Sequence, residues 1–81
     1  MVSAREILAV VDAIAAFHKP LSIMLFGSYA YGVANSDSDV DFLVLKEFRG
    51  SPNQQYDRIR ANILMPFSVD LLVRRPVDVL T

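Results

Sequence analysis

Apolar residues recur at steps of three and four near the start of the chain, where Ile7, Leu8, Val11, Ile14 and Ala15 share one side of an amphipathic helix. Just before them, Ser3 and Glu6 have the Ser-x-x-Glu spacing of a capping box, in which each side chain satisfies a backbone N–H. His18 and Lys19 suit the negative end of that helix, with His18 read as a charge partner there, and Pro20 stops it. The helix is therefore predicted over Ala4–His18. The period then changes. Residues 21–26 are a short apolar run between Pro20 and Gly27 and read as a buried strand. A polar stretch, residues 27–38, separates it from residues 39–45, whose β-branched and aromatic content predicts a second strand. Alternation there points Val40, Phe42 and Val44 into the core. Asp39 and Asp41 share the other face, about 6.6–6.8 Å apart along the strand.

Ser51, Pro52 and Gln54 mark a second helix start, as N-cap, first helical residue and capping-box partner. Tyr56, Ile59 and Ile63 form its buried side, Asp57, Arg58 and Arg60 its solvated side, and Pro66 its end. Residues 67–73 read as a third strand, broken by Pro76, and residues 77–81 are too short to assign. The order is helix, strand, loop, strand, helix, strand. It predicts an α+β fold, a small two-layer domain with helices packed on one face of a β-sheet.

At 81 residues the chain is one domain, residues 1–81, and with 53% hydrophobic and 21% charged residues it is no disordered tail. A domain this small leaves apolar surface exposed for a partner. Eight basic against nine acidic side chains give a net charge of -1, so no bulk basic field exists for direct nucleic-acid binding. Without Cys, and with His18 as the sole histidine, thiolate zinc sites and cages of several histidines are excluded. No apolar run reaches the roughly 18 residues of a membrane span, and Glu6 and Asp12 break any signal-peptide pattern. A soluble, cytoplasmic protein is expected.

Charge matters most on the strands. Asp70 lies in the apolar run of residues 67–73, with no Lys or Arg within three residues on either side. A carboxylate in a buried strand is costly unless it is paired or holds a metal. If the second and third strands are neighbours, Asp39, Asp41 and Asp70 converge and need a cation. Ligation by oxygen alone favours Mg²⁺ or Mn²⁺ over zinc. Blander readings compete: residues 37–41 as an acidic turn, and Asp70 as an edge-strand residue facing water. An EF-hand starting at Asp37 fails, because Phe42 and Phe48 stand where Gly and Glu are required. Upstream, Gly27 follows a strand and permits close backbone approach to a ligand, and a short helix from Ser28 would offer N–H groups to an anion. A Walker A loop is excluded, since Val33 and Ala34 follow Gly32 in place of Lys-Ser/Thr.

Gly27-Ser28, ten intervening residues and then Asp39-Val40-Asp41 resemble the signature of the DNA polymerase β-like nucleotidyltransferase superfamily. More narrowly, residues 25–32, 37–44 and 68–73 resemble the minimal nucleotidyltransferases of prokaryotes. The resemblance implies a mixed sheet backed by helices. It also implies that Gly27 and Ser28 hold the nucleotide's β and γ phosphates, that Asp39 and Asp41 bind two divalent ions (Mg²⁺ or Mn²⁺), and that Asp70 binds the ion nearest the attacking hydroxyl and helps deprotonate it. The donor would be ATP and the product an adenylylated hydroxyl. Minimal members commonly act beside a HEPN-family partner as antitoxins, which implies a protein acceptor and a homo- or hetero-oligomer. Two departures stand out. Tyr31 replaces a frequent Arg, and the chain stops where relatives continue with a further helix and strand, which implies a truncated domain. The competing expectation is a non-catalytic module that neutralises its partner by covering it. Modification of an aminoglycoside ranks below both, for want of a second domain.

Overall fold

The structure, a computed structural model, describes residues 1–79. Its elements are α1 (Ala4–His18), β1 (Ser22–Phe26), α2 (Ser28–Tyr31), β2 (Val40–Leu45), α3 (Pro52–Asn62), β3 (Val69–Arg74) and α4 (Pro76–Val79). The polar stretch folds its first residues into α2. The last turn, α4, forms where the sequence assigned nothing, and residues 80 and 81 of that tail lie outside the described residues. Both long helices begin where their caps place them. Glu6 N–H donates to Ser3 Oγ at 3.2 Å and Ser3 N–H to Glu6 Oε1 at 3.1 Å. Gln54 N–H donates to Ser51 Oγ at 3.2 Å and Ser51 N–H to Gln54 Oε1 at 3.3 Å. Each capping box satisfies two donors that the first turn otherwise leaves bare.

The three strands form one mixed sheet in the order β1-β2-β3, with β1 antiparallel and β3 parallel to β2. A parallel pair needs a crossover, and α3 supplies it. Val40, Phe42 and Val44 on the central strand are wholly buried, as their alternation predicts, and meet Leu71 and Val73 of β3 on the same face. Ile7, Val10 and Ile14 of α1, with Ile59 and Ile63 at α3, complete this core. Burying Phe42 alone contributes about 1.5–3 kcal/mol. Because side chains alternate along each strand, with even numbers inward on β2 and odd numbers inward on β3, Asp41, Leu43 and Leu45 emerge on the opposite face, beside Asp70, Leu72 and Arg74.

Expectations of burial are corrected on three elements. β1 is not buried: it is an edge strand, and Leu21 and Met24 are 64% and 51% exposed. An apolar run looks alike at the centre and at the edge of a sheet, and the crossover gives the centre to β2. The inward stripe of α1 is Ile7, Val10, Ile14 and His18, while Leu8 and Ala15 face outward. On α3 the buried pair is Gln55 and Ile59, with Tyr56 only half-buried.

His18 accordingly does not serve α1 as a charged end-group. It is buried, its Nε2 has no hydrogen-bond partner among the described residues, and its pKa is pushed down, first by burial and then by Lys46 and Arg58. Lys46 Nζ is held instead by Gln55 Oε1 at 3.2 Å. Among the described residues, no helix is long and apolar enough to cross a membrane.

Candidate functional site

β1 ends at Phe26, and the chain turns at Gly27 with φ 72° and ψ -154°, a conformation essentially restricted to glycine. The α2 turn follows at once: Ala30 and Tyr31 N–H donate to the Gly27 carbonyl at 3.1 and 3.2 Å, and Val33 N–H closes the turn on Ser28 O at 3.0 Å. Four residues carry little macrodipole, so the bend has its backbone N–H groups and the Ser28 hydroxyl to offer an anion. Tyr29 packs inward, its hydroxyl accepting from Val2 N–H at 3.0 Å, whereas Tyr31 is 80% exposed.

The bend lies directly on a carboxylate. A Cβ at Gly27 would collide with Asp41 Oδ2 and come within 3.0 Å of Asp41 Cγ. The sheet explains this closeness, because Phe26 is the register partner of Asp41. On its other side Asp41 pairs with Asp70 across the parallel β2–β3 ladder. Register partners on adjacent strands project from one face, so these two acids stand side by side. Asp39 is placed one residue ahead of β2 and is exposed, as is Asp70, while Asp41 is half-buried. Of the five residues singled out from the sequence, the structure thus brings Gly27, Asp41 and Asp70 into direct succession. Ser28 opens the helix after the bend, and Asp39 flanks the pair.

The electrostatics follow from that placement. The Asp41 carboxyl sits above the usual carboxylate range, first because of burial, then because of the negative charges of Asp70 and Asp39. No ion pair relieves it, since the sole salt bridge found among the described residues joins Arg75 to Asp78. The donor chemistry, carboxylate oxygen alone, fits a hard divalent cation. Among the described residues, no group of three or more acidic or His side chains is gathered closely enough to enclose an ion by itself. Mg²⁺ is characteristically held by one or two carboxylates plus water and substrate phosphates, and the Asp41–Asp70 pair can supply that much.

Sequence reading missed the part of Asn35 in the loop that delivers Asp39. Asn35 and Ser38 bond reciprocally there: Asn35 N–H donates to Ser38 Oγ at 3.0 Å, and the Ser38 hydroxyl lies 3.4 Å from Asn35 Oδ1. An Asn at the head of the Asn35-Ser-Asp-Ser38 run was the available signal, because such side chains close turns on their own backbone. Beyond the geometry, a family model described as a nucleotidyltransferase domain matches residues 7–81. No curated protein and no solved structure matches the chain.

Proposed function

The chain belongs to the nucleotidyltransferase domain family, and from that premise we propose that it transfers AMP from ATP to a hydroxyl of a partner protein. The reading extends to the partner: a HEPN-type toxin, with this chain as its antitoxin. The observation that carries the catalytic part is the Asp41–Asp70 register pair lying against the Gly27 bend.

In this reading Gly27 and Ser28 bind the β and γ phosphates, leaving the α-phosphorus over the acidic pair. The acceptor oxygen forms a bond to the α-phosphorus, and the bond from that phosphorus to the bridging oxygen breaks. Pyrophosphate leaves with the electron pair, and the acceptor's proton passes to the Asp70 carboxylate. Asp39 and Asp41 would hold two divalent ions, Mg²⁺ or Mn²⁺, and Asp70 would share one of them. Such ions supply charge stabilisation at the entering and leaving oxygens. Asp41 is half-buried, so its charge is less screened by water than that of the exposed Asp70. The pKa of Asp41 is raised first by burial and then by the negative charges of Asp70 and Asp39, and a cation relieves that charge.

The exposed apolar edge at Leu21, Met24 and Leu25 supports a protein partner in either of two roles, acceptor or covered target. One experiment separates them. The chain is incubated with α-labelled ATP, Mg²⁺ and the product of the neighbouring gene, and label is expected on that product. Label that persists after Asp41→Asn refutes the assigned roles. A variant lacking all three acids that still neutralises the partner establishes covering without catalysis.

A further inference from the structure

We propose that Asn35 and Ser38 form a clamp that positions Asp39 beside the Asp41–Asp70 pair, an inference resting on the reading of these acids as the transfer site. Four hydrogen bonds close within four residues of the loop. Ser38 N–H donates to the Asn35 carbonyl at 3.1 Å, which makes the turn. Asn35 N–H donates to Ser38 Oγ at 3.0 Å, and Asp37 N–H donates to Asn35 Oδ1 at 2.9 Å. The Ser38 hydroxyl in turn donates to the same Oδ1 at 3.4 Å.

On the far side of Asp39, Val40 N–H donates to Ser68 O at 2.9 Å, and the Val40 side chain is wholly buried. Asp39 is therefore the single residue between a closed turn and the first rung of the β2–β3 ladder, and its backbone is fixed from both directions. Exposed polar groups in a loop can use water instead, so a closed set here preserves shape more than it contributes stability. Shape matters because Asp39 faces like charge. It stands two residues before Asp41, and mutual repulsion favours displacing the stretch of backbone that carries it. The clamp opposes that movement. Asn35 and Ser38 act through Asp39 and are positioning residues.

The test compares wild type with Asn35→Ala, Asn35→Ser, Ser38→Ala and Ser38→Thr. Mn²⁺ is titrated in the presence of a non-hydrolysable ATP analogue and followed by water-proton relaxation, and thermal unfolding is measured without metal. Asn35→Ala and Ser38→Ala are expected to weaken Mn²⁺ binding about tenfold, as loss of a group orienting a ligand does. Asn35→Ser and Ser38→Thr, which retain an oxygen able to close the turn, are expected to recover much of that affinity at unchanged charge. The metal-free Tm should stay near wild type throughout. Wild-type affinity in both alanine variants, or a fallen Tm with unchanged affinity, overturns the clamp and leaves the transfer reading standing. Failure of wild type itself to bind Mn²⁺ overturns the transfer reading and the clamp with it.

Discussion

Replacing Gly27 by Ala tests the junction of fold and site. At φ 72° and ψ -154° the backbone is in a region that costs a residue with a Cβ about 1–3 kcal/mol. In a domain of this size each kcal/mol lowers Tm by about 4–8 °C, so strain alone predicts a fall of roughly 4–24 °C. The added methyl also meets Asp41 Oδ2, and the carboxylate must shift to make room.

Gly32→Ala is the control. That residue also has positive φ, 75°, but a Cβ there meets nothing within 4 Å. Its cost is the left-handed penalty alone, about 1–2 kcal/mol. The assay is chemical denaturation of Gly27→Ala, Asp41→Ala and the double variant. Because Asp41 Cβ lies 3.5 Å from the added methyl, an ordinary contact, removing the carboxylate should relieve the clash. Gly27→Ala should therefore cost less in the Asp41→Ala background, by more than the roughly 0.3–0.5 kcal/mol within which independent sites add. Strict additivity would refute the idea that the bend presses on this carboxylate.

Other outcomes follow from the same charges. Asp41→Asn should raise the metal-free Tm: its carboxyl is held above the ordinary 3.8, so folding is weakened as pH rises from that value through the folded pKa, and the gain should vanish in acid. A metal-free melt showing no gain at pH 8 would contradict the burial and like-charge repulsion that raise this carboxyl. For His18 the sign is reversed in pH. Its pKa is pushed below the ordinary 6.5, so the contribution to stability is complete above 6.5 and is lost as pH falls from there toward the folded value. Urea midpoints measured from pH 7.5 to 5 should drop for wild type and flatten for His18→Leu. Mg-ATP at a hundredfold excess over its Kd should stabilise the fold by about 2.7 kcal/mol, near 10–20 °C in Tm, and an unmoved melting curve would count against nucleotide binding.

Much of the framework was legible because local chemistry decides it. Ser3 with Glu6, and Ser51 with Gln54, set two helix starts through short-range bonds that the spacing displays directly. The inward set Val40, Phe42 and Val44 was legible from alternation. Orientation was less so. α1 carries apolar residues on two adjoining stripes, and only its seat on the sheet selects Val10 and His18 over Leu8 and Ala15. Burial of β1 was misread because edge position depends on strand order, a non-local property. The nearness of Asp41 to Asp70 had the same status: the sequence supplied both acids, but the parallel register set by the α3 crossover makes them neighbours. Asn35 escaped notice because its importance lies in closing a turn, which composition alone does not reveal.

That crossover also imposes an order in time. A ribosome delivers Asp39 and Asp41 well before Asp70, and the parallel pairing of β2 with β3 cannot begin until α3 has emerged. Throughout that interval the growing polypeptide holds two of the three candidate site acids on an unfinished sheet. The Asp41–Asp70 pair thus forms only when the third strand docks, so a chain cut before β3 would have Gly27-Ser28 and Asp39-Val40-Asp41 without that pair.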